Sequence, residues 1–375
     1  MKVVVAIDSL KGSLSSMEAG QAVKSGVLAA HPDAEVIIKP LADGGEGTTD
    51  ALIEGLGGQR IDLTVTGPMG TPVSCYYGYL EENKTAIIEM AAASGITLVP
   101  AHQKNPLIAS TRGVGEMILD ALEKGCRNFI IGIGGSATND AGIGMLKALG
   151  YSFLDEHGLD VGEGAQALMK VASIDTNNLH PLLDSCHFRI ACDVTNPLCG
   201  ENGATYIYGP QKGVTESQKK PLDLGMAHFA NVTEATLNCN YRNYPGAGAA
   251  GGLGFAFLSF LHASLSPGVD LILDAVNLSE ALEGADIAVT GEGQLDRQTA
   301  MGKAPIGVAK LAKAHGAKVL AFSGSVTKEA TACNQAGIDA FFPILRRIVT
   351  LEEAMEPSTA RSNMTASVEQ VFRLL

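Results

Sequence analysis

The sequence predicts an α/β protein of two domains. A doubly wound, mostly parallel sheet domain is built from both chain ends, and a mixed α/β domain is inserted between them. Strand and helix patterns alternate near the start of the chain, and the same alternation returns near its end. Such alternation is typical of parallel strands joined by right-handed helical crossovers. The part between shows no regular alternation, which predicts the inserted domain.

The start of the chain predicts a strand, a helix and a second strand. The runs KVVVAI (2–7) and EVIIKP (35–40) have the branched, apolar side chains of buried strands. Between them, Ser15 and Glu18 have the spacing of a capping box. Apolar residues recur on one face after this box, as in an amphipathic helix.

The end of the chain repeats the pattern. ADIAVTGEG (285–293), KVLAFSG (318–324) and DAFFPI (339–344) predict three further strands. The segment 304–316 predicts a helix that has Pro305 in its first turn and a glycine after its end. A second helix is expected near 328–336.

The middle of the chain reads differently. Residues 60–90 predict short strands that are joined by turns at GPMG (67–70) and EENK (81–84). Helices are expected at about 111–124 and 140–149. We therefore assign 1–60 and 285–375 to one discontinuous domain and 61–284 to the inserted domain, with the active site in the cleft between them.

Composition excludes several classes of protein. The chain has 375 residues and a formal net charge of −13, which argues against a nucleic-acid partner because no basic surface is available for phosphates. Seven cysteines occur without a C-x-x-C pair, which favours reduced thiols over disulfides or zinc. No signal peptide or membrane-spanning run is evident. The expectation is a cytoplasmic protein with small-molecule partners, and its oligomeric state is left open.

Carboxylates follow several of the predicted strands. Ligands of parallel sheets bind outside the carboxyl ends of the strands, so acidic residues in these loops are candidates for a site. A single such loop is usually only a turn, but several together favour a function. The candidates are Asp8, Asp43, Glu46, Asp193, Glu292 and Asp296.

The loop GIGGSATNDAGIGM (132–145) is the richest in glycine near a predicted strand. Gly132, Gly134 and Ala137 fit the pattern G-x-G-x-x-A, and Asp155 lies about twenty residues further on, as in dinucleotide-binding proteins. Glycines let backbone amides approach an anion, and a helix N-terminus favours negative charge. The loop is thus expected to hold a phosphate, with Thr138 and Asn139 capping the helix or donating to oxygens. A tight packing turn is the alternative.

Three basic residues could reach a ligand at these strand ends. Lys11 follows the first strand closely, and Arg297 and Lys303 flank a carboxylate loop. A second G-x-G-x-x-G, at 246–251, lacks a clear preceding strand. The histidines form no cluster in the sequence, so a metal centre or a catalytic triad has no support.

Taken together, eight segments of the chain resemble the bacterial glycerate kinases of the first type. They occur in the order expected for that family, and the resemblance covers residues 1 to about 330 and continues more loosely to the end of the chain. They are DSLKGSLSSMEA, LADGGEGTTDAL, IEMAAASGI, IGIGGSATNDAGIGMLKALG, ACDVTNPLCGENGAT, GPQKG, PGAGAAGGLG and TGEGQLDRQTAMGKAP. The departures are small: Ile7 and Leu10 stand where Pro and Phe are frequent, and Thr299 where Ser is frequent.

The resemblance implies ATP-dependent phosphorylation of D-glycerate to 2-phosphoglycerate, with Mg²⁺. It also implies a two-domain α/β architecture in which the domain from the chain ends is Rossmann- or flavodoxin-like. Phosphoryl transfer requires neutralised phosphate oxygens, a metal ion and a group that orients the acceptor hydroxyl.

We therefore assign roles to the candidate residues as hypotheses. Lys11 contacts the transferring phosphoryl group, and Asp193 accepts the proton of the glycerate hydroxyl. Asp43 or Asp296 holds Mg²⁺. Arg297, or the backbone of the segment DGGEGT, binds the glycerate carboxylate. The nucleotide contacts are Gly132, Gly134, Gly135, Ser136, Thr138 and Asn139, and the substrate contacts are Asp8, Ser9, Gly44, Gly45 and Arg297.

Two other functions compete with this interpretation. A nicotinamide-dependent dehydrogenase of a small hydroxy acid requires Asp155 at the end of a strand next to the run NFII (128–131). A non-catalytic protein that binds small anions requires no ATP turnover, and the carboxylates beside the glycines disfavour it.

Overall fold

The computed structural model describes residues 1–45 and 47–375. Glu46, grouped with Asp43 in the sequence prediction, lies outside the described residues. The chain divides into two compact units. The terminal unit comprises Met1–Asp43, Asp50–Gly57 and Val269–Leu375, and the central unit comprises Gly44–Thr49 and Gly58–Gly268. The domain boundaries at 60/61 and 284/285 stay a prediction.

The described part of the chain forms strands and α-helices as follows. The strands are β1 (Lys2–Ile7), β2 (Glu35–Pro40), β3 (Gln59–Thr66), β4 (Pro72–Leu80), β5 (Thr85–Glu89), β6 (Asn128–Gly132), β7 (Ser152–Leu154), β8 (Ser173–Asp175), β9 (His187–Ala191), β10 (Ser264–Ser266), β11 (Ile287–Leu295), β12 (Lys318–Val326) and β13 (Ala340–Pro343). The helices are α1 (Ser16–Ala30), α2 (Thr48–Leu56), α3 (Ala91–Ser94), α4 (Arg112–Glu123), α5 (Ile143–Ala148), α6 (Ala165–Leu168), α7 (Ala204–Tyr208), α8 (Glu216–Leu237), α9 (Ala249–Phe260), α10 (Gly268–Ala275), α11 (Leu278–Leu282), α12 (Ala304–Ala314), α13 (Ala332–Gln335), α14 (Leu351–Met355) and α15 (Pro357–Phe372).

The sheet of the terminal unit is parallel and joins the two ends of the chain. Its strand order is β13-β12-β11-β1-β2, and every neighbouring pair is parallel. Strand β1 lies between β2 and β11, with Val4 opposite Ile37 and Ala288. This is the order of flavodoxin-like doubly wound sheets, in which the connections change direction between the first and third strands. The predicted fold class is confirmed.

Helix α1 begins as the sequence predicts. Ser15 Oγ accepts a hydrogen bond from the Glu18 N–H, and the Glu18 carboxylate accepts one from the Ser15 N–H. The apolar face of α1 packs on β1 and on α15 in one buried cluster that includes Val5, Val23 and Val368. Burial on this scale is the main stabilising contribution to a sheet covered by helices.

The central unit contains a mixed sheet of order β10-β9-β6-β5-β4-β3. Its β3, β4 and β5 are antiparallel neighbours, as the segment 60–90 predicts, whereas β5, β6, β9 and β10 are parallel. The carboxyl ends of the four parallel strands therefore share one edge of the sheet. Among the described residues, no helix has the length and apolar character required to cross a membrane.

Gly26 tests the packing of α1 against α15. A Cβ at this position would lie 2.5 Å from the Thr365 carbonyl oxygen and 2.8 Å from Val368 Cβ. Helix propensity alone predicts that Gly26→Ala stabilises the protein by about 1 kcal/mol. We expect the opposite, a loss of about 1–3 kcal/mol, because backbone atoms of α15 must move.

The measurement is urea unfolding followed by circular dichroism. Ser25→Ala is the control, because Ser25 is exposed on the same helix and bonds only to the Gln21 carbonyl within the described structure. If Gly26→Ala proved as stable as Ser25→Ala, the close packing of these two helices would be refuted.

Candidate active site

A cavity of about 490 Å³ lies in the terminal unit, outside the carboxyl ends of β1 and β11. This is the point where the connections of the sheet change direction, and open α/β sheets bind their ligands there. Asp8, Ser9 and Lys11 enter the cavity from the loop after β1. The charged side chains and the serine of the loop after β1 that matter here lie at or beyond the ends of β1, β2 and β11, and they are Asp8, Ser9, Lys11, Asp43, Glu292, Asp296 and Lys303. The structure thus brings together five predicted site residues.

Asp8 is the most perturbed carboxyl group of this cavity. Its side chain is only 8% exposed, and burial raises its pKa to about 7, although the hydrogen bond from the Ser9 N–H opposes the rise. The Asp43 and Glu292 carboxylates add to the rise, since each disfavours a further negative charge nearby. A carboxyl group that titrates near neutral pH is suited to exchange a proton with a substrate.

Glu292 and Asp296 share a hydrogen-bonding partner on the far side of the cavity. Thr299 Oγ1 donates to Glu292 Oε1 at 2.5 Å, and the Thr299 N–H donates to Asp296 Oδ1 at 3.0 Å. Burial raises the pKa of Glu292, whereas the Thr299 N–H lowers that of Asp296. Lys303 Nζ lies 3.8 Å from Glu292 Oε2. Asp296 is therefore ionised at neutral pH and available to a cation.

Asp193 and Gly44 belong to the central unit, at the carboxyl edge of its sheet. Asp193 is exposed after β9, and its Oδ1 accepts the Gly268 N–H at 2.9 Å. Gly44 has a φ of +86°, and a Cβ there would lie 2.6 Å from the Gly268 Cα, so only glycine fits. The carbonyl of Gly45 accepts the Thr48 N–H. Asp193, Gly44 and Gly45 all belong to the central unit.

The glycine loop after β6 exposes only its first part. Gly134 and Gly135 are exposed, whereas Ser136, Thr138 and Asn139 are at most 6% exposed. Asn139 Nδ2 donates to Thr205 Oγ1, and two neighbouring oxygens, Thr138 Oγ1 and Asn139 Oδ1, have no described partner. In this conformation Thr138 and Asn139 face the protein interior rather than a ligand.

Thr138 and Asn139 also do not cap the following helix. Helix α5 begins only at Ile143, and the Asp140 carboxylate accepts the N–H groups of Gly142 and Gly144. The same carboxylate accepts from Thr111, so Asp140 fixes the end of the loop. Asp140 accepts these N–H groups in place of Thr138 and Asn139, because three residues separate Asn139 from the first residue of the helix.

A buried lysine supports the loop from inside. Lys212 is 2% exposed, and its Nζ donates to Ser136 Oγ at 2.6 Å and to the Thr138 carbonyl at 2.7 Å. Burial lowers the pKa of Lys212 to about 7, although Asp140 opposes the change. Lys212 lies in GPQKG, one of the eight segments quoted in the sequence analysis, to which no role was assigned there. Neither its burial nor its partners have a local sequence signal.

Arg297 and Asp155 are two further sequence candidates. Arg297 is exposed and is not among the residues that line the cavity. Asp155 follows β7, which pairs antiparallel with β8 in a separate two-stranded sheet, and its carboxylate accepts the N–H groups of His157 and Leu159. The strand geometry that a dehydrogenase requires of Asp155 is thus not present.

Glu292 and Lys303 are candidates that the sequence left without a role. Both carry charges into the cavity: Glu292 lies near the end of β11, and Lys303 follows the 3₁₀ turn Thr299–Met301 and precedes α12. Within residues 1–45 and 47–375, no group of three His, Cys, Asp or Glu side chains is arranged to hold a metal ion. A cation at this site would depend on fewer protein carboxylates and on its ligand.

The fold and the charged cavity define an α/β protein with a candidate ligand site at the switch point of its parallel sheet. The model of the glycerate kinase family matches residues 3–375. A glycerate kinase of Bacillus subtilis (strain 168) is 46% identical over 98% of this chain and 96% of its own. A glycerate 2-kinase of Escherichia coli (strain K12) is 47% identical over 94% of this chain and 93% of its own.

A solved structure supports the same assignment. The crystal structure of a protein described as glycerate kinase 2 from Salmonella typhimurium LT2 is similar with a TM-score of 0.91 and 42% identity, covering 100% of this chain and 98% of that one. The chain belongs to the glycerate kinase family, and it is a kinase.

The raised pKa of Asp8 predicts a pH dependence of stability. The folded protein binds a proton at Asp8 that the unfolded chain, with its pKa near 3.8, releases. Stability therefore falls as pH rises from about 4 to about 7, by at most about 1.4 kcal/mol per pH unit. Asp8→Asn removes this pH-dependent loss of stability, because asparagine does not titrate. We expect the melting temperature of the variant relative to the wild type to rise from pH 5 to about pH 7 and then level off.

The measurement is thermal unfolding in buffers without divalent cations. Asp296→Asn is the control, because the pKa of Asp296 is lowered and its titration lies below this range. A pH-independent difference for Asp8→Asn would contradict the assigned pKa.

The buried hydrogen bonds of Lys212 predict slow amide hydrogen exchange in the glycine loop. Lys212→Met leaves Ser136 Oγ and the Thr138 carbonyl without their buried donor. We expect amide hydrogen exchange in residues 133–142 to accelerate about tenfold or more. Lys104→Met is the control, because Lys104 Nζ also donates to a carbonyl, that of Gln211, but from a partly exposed position. Equal exchange in both variants would show that Lys212 does not hold the loop.

Proposed function

We propose that the protein transfers the γ-phosphoryl group of ATP to D-glycerate and releases 2-phosphoglycerate and ADP. The observation that carries the proposal is the cavity at the switch point, where two lysines and four carboxylates converge. Phosphoryl transfer depends mainly on positioning and on charge stabilisation, and this set of side chains supplies both. Membership of the glycerate kinase family supports the reaction, and the relative named glycerate 2-kinase supports the position of the phosphate.

Lys11 and Lys303 are the cations proposed for the phosphate oxygens. Lys11 is exposed in the loop after β1, so its ammonium can follow the phosphoryl group as it moves between donor and acceptor. Lys303 immediately precedes α12, and its Nζ lies 3.8 Å from Glu292 Oε2. Glu292 belongs to β11, the other strand that borders the cavity. Two cations on opposite loops would neutralise charge at both ends of a transferring group.

Asp43 and Asp296 are the residues proposed to hold Mg²⁺. Both line the cavity and offer the carboxylate oxygens that Mg²⁺ prefers. The lowered pKa of Asp296 supports the fit, because a metal ligand must be ionised. Mg²⁺ usually needs only one or two protein carboxylates besides phosphate and water, which agrees with the small donor set. When bound, it would neutralise charge on the phosphate oxygens.

The carboxylate that accepts the hydroxyl proton has two candidates. Asp193 is the residue predicted from the sequence, and its exposed carboxylate keeps one oxygen without a described hydrogen bond. Asp8 is the candidate that the structure adds, because its pKa of about 7 suits proton exchange. Asp193 is the proposed proton acceptor, and the variants Asp193→Asn and Asp8→Asn distinguish it from Asp8.

The remaining contacts are assigned to backbone groups. The glycerate carboxylate is proposed to bind the backbone of the segment that contains Gly44 and Gly45, and Arg297 is the alternative predicted from the sequence. The proposed phosphate contacts of the glycine loop are the backbone amides of Gly134 and Gly135. The buried Ser136, Thr138 and Asn139 support this loop instead.

The proposed reaction is tested by incubating the protein with ATP, Mg²⁺ and D-glycerate. We expect ADP release that depends on D-glycerate, and a phosphorus NMR signal of 2-phosphoglycerate. A reaction without glycerate is the control for ATP hydrolysis. A signal of 3-phosphoglycerate would keep the kinase activity and refute the position of transfer, whereas a folded protein that releases no ADP would refute the proposal.

The role of Asp193 makes a separate prediction. If Asp193 accepts the proton, Asp193→Asn lowers kcat by about 100-fold or more and leaves the KM for ATP little changed. Asp223→Asn is the control, because Asp223 also accepts a backbone N–H, that of Gly200, and does not follow a parallel strand. A near-normal kcat of Asp193→Asn together with a large loss in Asp8→Asn would transfer the role to Asp8.

A further inference from the structure

The cavity at the switch point is larger than its proposed acceptor requires. Its volume is about 490 Å³, and cavities of roughly 300–1,000 Å³ hold ligands of the size of a drug. D-glycerate has only three carbon atoms and fills a small part of this space. Since the function proposed above requires a second, larger substrate, the cavity has room for most of the phosphoryl donor.

The lining of the cavity combines charged groups with an apolar wall. The wall is formed by the segment between β13 and α15, which contributes Ile344, Leu345, Leu351, Ala354 and Met355. An apolar wall beside charged groups does not suit a small hydroxy acid, every carbon of which carries oxygen. It suits a ligand that has a phosphate end and a flat, weakly polar end.

Met355 connects the apolar wall to Lys11, and two leucines of the wall are exposed. A Cβ on Gly12, the next residue, would lie 2.8 Å from Met355 Cε, so Met355 packs directly on the loop that carries Lys11. Leu345 and Leu351 are 40% and 76% exposed, although large apolar side chains are usually buried. A ligand whose phosphates contact Lys11 would thus have its organic part next to an exposed apolar surface.

We propose that the wall formed by Leu345, Leu351 and Met355 binds the nucleoside of the phosphoryl donor, with the donor phosphates directed toward Lys11. This inference rests on the proposed kinase function and specifies which part of the terminal unit recognises the donor. Burial of the wall under a planar base removes apolar surface from water on both partners. Removal of that surface weakens the binding of the nucleoside and leaves the binding of phosphate unchanged.

The test compares two ligands that share a diphosphate and differ in the nucleoside. Binding of ADP and of inorganic pyrophosphate, each with Mg²⁺, is measured by titration calorimetry on the full chain. The variant is the double substitution Leu345→Asn and Leu351→Asn. Both side chains are exposed, so the fold loses little. Neutral asparagines also avoid a charge that would act on the phosphates.

Ile348→Asn is the matched control. Ile348 is fully exposed in the same segment, between the two leucines, but does not line the cavity. We expect the Kd for ADP to rise about fivefold or more in the double variant, with the Kd for pyrophosphate within about twofold of the wild type. The control is expected to bind both ligands like the wild type.

The other outcomes overturn the proposal in distinguishable ways. An unchanged Kd for ADP in the double variant, in a wild type that turns over, would place the nucleoside elsewhere and leave the kinase function intact. An equal weakening of ADP and pyrophosphate would show that the wall only supports the phosphate site. A wild type that neither binds ADP nor phosphorylates glycerate would remove the proposed function and this inference with it.

Discussion

The parallel pairing of β1 with β11 is the contact on which the cavity depends. It places Val3, Val4 and Val5 beside Ile287, Ala288 and Val289, so that the two ends of the chain form one sheet. Because β2 pairs with the other edge of β1, the connections leave β1 in opposite directions and the loops beyond it separate. The Asp8 N–H donates to the Gly291 carbonyl at 2.9 Å. The ladder thus extends to Asp8 and fixes where the loop begins.

The charge balance of the cavity follows from this arrangement. The three neighbouring parallel strands β2, β1 and β11 bring Asp43, Asp8 and Glu292 close together at their carboxyl ends, and burial makes the repulsion between these groups costly. Burial raises the pKa values of Asp8 and Glu292, and the neighbouring carboxylates add to the rise, while the Thr299 N–H lowers the pKa of Asp296. A cluster of this kind favours a ligand that brings a cation with its phosphates over a bare anion. That preference distinguishes a kinase from a protein that binds small anions.

In the central unit, several glycines allow close packing of the backbone. A Cβ on Gly251, whose φ is +70°, would lie 2.1 Å from the Thr138 carbonyl oxygen, and the Ala141 N–H donates to the Gly251 carbonyl. The two glycine-rich segments of the sequence therefore pack against each other. Their small residues are explained by this close approach, and only Gly134 and Gly135 are left on the surface of the loop for another role.

The sequence predicted the fold better than the details of the site, for a physical reason. Strands, the capping box at Ser15 and the carboxylates after β1 and β11 are local patterns, and parallel pairing then brings those loops together. The burial of Thr138 and Asn139 is not local. The loop around them is bonded to Lys212, 76 residues beyond Ser136, and the segment of Lys212 has no pattern that distinguishes a buried lysine from a solvated one. A glycine motif predicts a backbone that allows close approach, but whether a ligand or the protein itself makes that approach is decided by residues distant in the chain.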